Sequence, residues 1–229
     1  MVFILTNDDG IDAPGLRALE QAVQTLNQPS AIVAPAGEFS GCGHQTTTQQ
    51  PLPVECHSER AYAVSGTPAD CTRLALHALY PQQIDWLLSG VNAGGNLGVD
   101  IYTSGTVAAA REAAMHGIPA IAISHFVARP LTIDWEQAAQ WTHAVLEKLL
   151  SLTLPPAAFW NVNLPHLESG AMQPPIIFCE ASTQPLPVVY RQAGNAYVYT
   201  GVYAERQRAP GTDIDICFQG HIAVTQLRV

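Results

Sequence analysis

The 229 residues are 48% hydrophobic and 13% charged, with a net charge of −9 and a single lysine, Lys148, among ten basic residues. That composition supports a sizeable core and excludes a disordered chain, while the acidic balance argues against partners such as duplex nucleic acid or an anionic membrane surface. No run approaches the roughly 20 apolar residues of a membrane span, and five scattered cysteines without C-x-x-C spacing read as reduced thiols, so the expectation is a cytoplasmic protein.

Val2-Phe3-Ile4-Leu5 is a short apolar run closed by Thr6-Asn7-Asp8-Asp9-Gly10, which reads as a buried parallel strand ending in two adjacent carboxylates. In open α/β sheets ligands bind at that end of the strands. Two carboxylates roughly 4 to 5 Å apart repel by about 3 to 4 kcal/mol at an effective dielectric of about 20. A divalent cation held by hard oxygen donors would offset that cost; a solvated Asp-Asp-Gly turn is the other reading of the same residues.

Pro14 to Leu26 carries Leu16, Leu19, Val23 and Leu26 at helical spacing, and Ala31 to Ala34 is a second short strand, completing a right-handed strand-helix-strand unit. The Gly-rich loop Pro35 to His44 then falls beside Asp8 and Asp9, where Ser40 either offers its hydroxyl or serves as a turn residue. Cys42 and His44 lack a second pair at metal-binding spacing and read as loop residues. Thr46 to Gln49, Pro53 to Cys56 and Ala61 to Val64 resemble short strands of an antiparallel flap at the sheet edge. Thr67-Pro68-Ala69-Asp70 opens a helix with the spacing of a capping box, giving Asp70 a structural role.

Ile84 to Leu88 is another strand, followed by Ser89-Gly90-Val91-Asn92-Ala93-Gly94-Gly95-Asn96-Leu97-Gly98. Two asparagines four apart among four glycines suit a backbone that approaches a ligand closely while amide side chains bind it; a flexible loop is the plain alternative. The glycines match neither a dinucleotide fingerprint nor a phosphate loop of the G-x-x-x-x-G-K-[ST] type. Tyr102-Thr103-Ser104-Gly105-Thr106 opens a helix to about His116, whose hydroxyls and free N–H groups form an anion site. A strand from Pro119 to Ser124, a helix capped by Asp134 and running to Ser151, and a strand from Ala158 to Val162 follow. Val188 to Arg191 and Ala196 to Tyr203 read as a hairpin whose Tyr and Val side chains need a covering surface, either another subunit or a local sheet edge. The expected fold class is α/β, a Rossmann-like parallel sheet flanked by helices, with a catalytic core over 1–166 and a β-rich extension over 167–229.

Thr6-Asn7-Asp8-Asp9-Gly10-Ile11, Ser40-Gly41, Gly66 to Cys71, Ser89 to Gly98, Tyr102 to Thr106, and Gly117 to Ala122 together resemble the SurE family of nucleotidases. The likeness runs in order over about the first 125 residues and resumes at Asn161 to Pro165 and in the last strand. What it implies is a metal-dependent phosphatase that hydrolyses nucleoside monophosphates, at the 5′ and also the 3′ position, with one divalent metal per subunit, magnesium or manganese. It also implies a homodimer or homotetramer built by exchange of the C-terminal extension. By position, Asp8, Asp9, Ser40 and Asn92 match the metal ligands, with Asp8 and Asp9 also catalytic, and Asn7, Asn96, Ser104, Gly105 and Thr106 match the phosphate- and substrate-binding segments. The chain departs from the family at Ala36 to Phe39, where a polar run with an arginine is usual, and at Gly220 to Leu227; neither change touches the matched ligands. A haloacid-dehalogenase phosphatase wants its aspartates two apart, and a receiver domain wants an aspartate where Ser89 stands, so the alternative from another class is a non-catalytic metal- and nucleotide-binding module.

Overall fold

The computed structural model describes residues 1–128 and 130–229. An apolar run without alternation has to be buried on both faces, and β1 (Val2–Thr6) achieves this by lying inside a sheet, with Phe3 and Leu5 in the apolar cluster on one side and Ile4 in the cluster on the other. α1 (Pro14–Thr25) crosses over and delivers β2 (Ser30–Pro35) parallel to β1. β3 (Val54–Ser58), β4 (Ala61–Val64), α2 (Pro68–Leu74), β5 (Ile84–Ala93), α3 (Gly105–Met115), β6 (Ala120–His125), α4 (Trp135–Leu149) and β7 (Ala158–Leu164) follow. The chain continues through β8 (Ile176–Phe178), β9 (Tyr190–Ala193), β10 (Ala196–Tyr199), α5 (Asp213–Phe218) and β11 (Ile222–Arg228).

The main sheet has the order β3-β4-β2-β1-β5-β6-β7-β11-β8. From β4 to β7 the strands are parallel, while β3 and β11 run antiparallel to β4 and β7. α1 and α4 pack on one face, α2 and α3 on the other, so the expected α/β class holds. The order reverses between β1 and β5, which opens a crevice at their carboxyl ends. Asp8 and Asn92 both sit there.

Several boundaries differ from the sequence reading for local reasons. β5 runs on to Ala93, so Ser89 to Asn92 are strand and not loop: Gly90, at φ +139°, lets the backbone pass so close to Ile123 that a Cβ would collide with its carbonyl oxygen. α3 starts at Gly105 and not at Tyr102, because Ser104 is extended and its hydroxyl accepts from the Val107 N–H at 3.1 Å; Gly98–Tyr102 form a separate 3-10 turn. Thr46 to Gln49 form no strand, and Thr47 instead donates its N–H (2.7 Å) and hydroxyl (2.8 Å) to Asp70. β4 joins β2 directly, so the expected flap is the edge of the main sheet. β8 and α5 were not anticipated: three residues after a pair of prolines and six residues of helix are too short to establish a period. β9 and β10 form the expected hairpin around Gly194-Asn195 as a separate two-stranded sheet.

The loop that carries Ser40 is tied down from behind by a buried acid. Glu112 of α3 is 1% exposed and receives Arg73 Nε at 2.7 Å, His44 Nε2 at 2.6 Å and His116 Nε2 at 3.0 Å. Burial raises the Glu112 pKa, but these hydrogen bonds and the Arg73 charge outweigh it and hold the carboxyl at about 2. A carboxylate with a depressed folded pKa stabilises the fold fully above its unfolded value near 4.5, and that contribution disappears as the pH falls from 4.5 to about 2. Glu112→Gln is therefore expected to lower unfolding free energy at pH 7 by about 2 to 3 kcal/mol and to flatten stability between pH 4.5 and 2 in urea titrations; an unchanged acid limb would count against the assignment.

Gly15, in the first turn of α1, faces the carbonyl oxygen of Val91 so closely that no Cβ fits. Helix propensity alone favours alanine over glycine by up to about 1 kcal/mol, whereas forcing extra volume into a packed contact costs about 1 to 3 kcal/mol. Gly15→Ala should thus lower the urea midpoint; a raised midpoint would show that propensity dominates.

Candidate active site

β1 ends at Thr6, and the turn beyond it is closed from inside: Asn7 Nδ2 donates to the Gly10 carbonyl at 2.7 Å, and Ile11 N–H to the Pro35 carbonyl at 2.8 Å. Asn7 is fully buried and its Oδ1 has no hydrogen-bond partner. The turn lifts Asp8 and Asp9 to the mouth of the crevice. Asp8 is 4% exposed; its Oδ1 accepts the Thr106 hydroxyl from the start of α3. Gly105 presses on it, since a Cβ there would stand 2.8 Å from Asp8 Cβ and 3.0 Å from Asp8 Oδ2. Asp9 Oδ2 accepts the Ala93 N–H at 3.3 Å. The loop after β2 is docked onto the same turn by Phe39 N–H donating to the Asp8 carbonyl at 2.7 Å, which brings the backbone next to Ser40 against that turn.

Three of the expected ligand segments thus converge through backbone contacts: Asp8-Asp9 directly, Asn92 through its neighbour Ala93, and Ser40 through its neighbour Phe39. Asn92 Nδ2 is tied to the Gly94 carbonyl at 2.8 Å, leaving Oδ1 as the free end of the amide, and Ser40 is exposed. Burial, with a smaller push from the Asp9 charge, raises the Asp8 pKa to about 6 against the opposing Thr106 hydroxyl. Asp9 is raised by burial and by the Glu38 charge, against the Ala93 N–H. Burial and the charge of Asp8 also push the Cys42 thiol up, which disfavours a thiolate in this acidic pocket.

Among the described residues no Lys, Arg or His forms an ion pair with Asp8 or Asp9. No group of three or more His, Cys, Asp or Glu side chains is placed to hold a metal among them either, so a cation here depends on hydroxyl and amide oxygens beside the two carboxylates. That donor set is all hard oxygen, and with the orphaned Asn7 Oδ1 and the unpaired negative charge it fits a hard divalent cation.

The phosphate-binding candidates are arranged unevenly. The N–H groups of Gly105 and Thr106 lie in the first turn of α3 beside Asp8, without partners within the helix, and the Thr106 N–H, like its hydroxyl, is turned to the Asp8 carboxylate, where it opposes the rise of that pKa. Ser104 caps that helix, and the Thr106 hydroxyl is engaged by Asp8. Asn96 is more constrained than its sequence context suggests. Its N–H donates to Asn163 Oδ1 at 2.8 Å, its carbonyl accepts Nδ2 of Asn161 (2.9 Å) and of Asn163 (3.1 Å), and its own Nδ2 donates to Ser124 Oγ at 2.7 Å. Asn7 is an interior turn-former, not a surface group. Ser124, Asn161 and Asn163 were missed as supports of the site. Their signal was present as polar residues interrupting the buried strands β6 and β7, where an unpaired amide would be costly.

Residues 3–184 match the family described as survival protein SurE. A relative from Nostoc sp. is 56% identical over 229 residues, covering 100% of each chain. The 5′-nucleotidase SurE of Paramagnetospirillum magneticum is 39% identical over 229 residues, 98% of this chain and 88% of that one. Among solved structures, the SurE protein from Aquifex aeolicus has a TM-score of 0.88 at 32% identity, covering 100% of this chain and 93% of that one. Ordered motifs, full-length relatives and the shared sheet agree, and the chain belongs to the SurE family.

Proposed function

We propose that this chain is a metal-dependent phosphatase that hydrolyses nucleoside monophosphates, 5′ and also 3′, to nucleoside and phosphate. The observation that carries this reading is the buried Asp8 carboxylate, beside Asp9 and against the start of α3, with no protein cation among the described residues to neutralise the pair. The 5′-nucleotidase names of its relatives supply the substrate class.

Asp8, Asp9, Asn92 and Ser40 are the groups proposed to hold one divalent ion, magnesium or manganese. When bound, such an ion polarises a phosphoryl oxygen and lowers the pKa of its water. Thr106 keeps Asp8 in one rotamer through its hydroxyl, so the ligand oxygen is oriented before substrate arrives. The Gly105 N–H, at the positive end of α3, donates to a phosphoryl oxygen and stabilises its charge as the ester bond breaks, while the Thr106 N–H serves Asp8. Ser104 supports that helix start, and Asn96, fixed by Ser124, Asn161 and Asn163, is assigned to the phosphate site as well. Asp8 or Asp9 takes the proton of the attacking water.

The division into a catalytic core over 1–166 and an extension over 167–229 belongs to the same reading. The arm formed by β9 and β10 exposes Val188 (69%), Tyr190 (60%) and Tyr197 (69%), a surface that suits burial against a second copy of this chain in a homodimer or homotetramer. No helix among the described residues is long and apolar enough to cross a membrane, which is compatible with work on soluble nucleotides in the cytoplasm.

Inorganic phosphate release from a panel of nucleoside 5′- and 3′-monophosphates, with manganese, magnesium or EDTA, is expected to require metal and to fall roughly a hundredfold or more in Asp8→Asn. A metal-stimulated, active Asp8→Asn protein would overturn the assignment. Folded protein that binds nucleotide but releases no phosphate with any metal would make the chain a binding module. A second measurement separates metal from turnover: a ligand at about 100 times its Kd stabilises a fold by about 2.7 kcal/mol, so saturating manganese should raise the melting temperature of the native protein and leave Asp8→Asn unmoved.

A further inference from the structure

The far end of the chain clamps the segment between Asn96 and Ser104, which is otherwise tied by Arg111 Nη2 to the Ile101 carbonyl at 2.8 Å and by the Gly43 N–H to the Thr103 carbonyl at 3.0 Å. Asp213, fully buried at the start of α5, accepts the Gly98 N–H on Oδ2 at 2.6 Å and, on Oδ1, the N–H groups of Ser182 and Ile214, both at 2.8 Å. Arg206, whose side chain is also fully buried, donates from one guanidinium nitrogen to Asp100 Oδ2 at 2.6 Å and from another to the Leu97 carbonyl at 3.1 Å. Tyr203 adds its hydroxyl to the same Asp100 oxygen at 2.6 Å. Gly98, at φ +54°, lies so close to Ser182 that a Cβ would sit 2.8 Å from the Ser182 carbonyl oxygen.

Apolar packing would secure this segment without burying charges, because it is non-directional and avoids their desolvation. A carboxylate and a guanidinium aimed at particular backbone groups fix its orientation as well as its position. The segment they orient joins Asn96 to the Ser104–Thr106 helix start, and none of the clamping groups is itself among the proposed phosphate- or metal-binding residues. We infer that Asp213 and Arg206 are positioning residues for the phosphate site: the C-terminal extension sets the spacing between Asn96 and the Gly105 N–H. The inference rests on the phosphatase reading for its consequence in turnover, but phosphate binding reads it independently.

The test uses the full chain loaded with manganese, as Arg206→Met, Arg206→Lys and the near-isosteric Asp213→Asn. Hydrolysis of a nucleoside 5′-monophosphate, calorimetric binding of inorganic phosphate and calorimetric binding of manganese are measured on protein whose circular dichroism matches the parent. In Arg206→Met, KM and the Kd for inorganic phosphate should rise together, roughly tenfold, since displacement of binding groups by about 1 Å is felt at that scale. Manganese affinity should stay within about twofold, and Arg206→Lys, which keeps the charge on Asp100, should recover part of the loss. Asp213→Asn keeps the size of the clamp but removes its charge and turns one acceptor oxygen into a donor facing a backbone N–H; it should move the same two constants, and is the deciding variant if Arg206→Met does not fold. Folded variants with parental KM and phosphate Kd, or with only manganese binding weakened, would overturn the inference. Parental protein that binds phosphate without turnover would sink the phosphatase reading while leaving the clamp to be judged by the phosphate Kd.

Discussion

The burial of Asp8 is the constraint on which the rest of the site depends. A carboxylate that is 4% exposed, next in sequence to another acid, is an expensive object. Within the described residues its visible compensation is the Thr106 hydroxyl and the first turn of α3, and its pKa near 6 records how incomplete that compensation is. Gly105 follows from the same constraint: α3 approaches so near that only a residue without a side chain fits against Asp8.

Close approach recurs around this point. Gly15 admits the Val91 carbonyl, Gly90 admits that of Ile123, and Gly105 admits Asp8, so α1, β5, β6 and α3 all come within backbone distance of the reversal in strand order. Polar ties then fix the loops that a sheet alone leaves loose. Glu112 anchors the 36–47 loop to α2 and α3, Asn161 and Asn163 hold Asn96, and Asp213 with Arg206 holds Leu97 to Asp100. Each tie uses a buried charge or amide whose full set of partners exists only in the folded arrangement.

How much of this was legible beforehand varied with the range of the interaction. Buried parallel strands, the Thr67–Asp70 capping box, the Asp134 cap and the acidic turn after β1 are local patterns, and all were readable from neighbouring residues. Ser89 to Asn92 misled because glycine signals both a loop and a close backbone crossing, and only the packing of β6 against β5 distinguishes them. Asp213 and Gly98 are 115 positions apart, and Asn163 and Asn96 are 67 apart, so no spacing rule connects them. Asn7 and Asn96 read as binding residues, but their side-chain amides are turned to internal bonds, an orientation that one sequence does not encode locally.

The distribution of basic residues has a practical consequence. Lys148, the only lysine, lies in the last turn of α4, over the ring of Phe178 at 5.3 Å. α4 enters from the carboxyl end of β6 and descends along the sheet, so its last turn lies at the edge opposite the crevice. Attachment through the lysine amine to a support or a fluorophore therefore orients the molecule by its base and leaves the acidic mouth facing free solution.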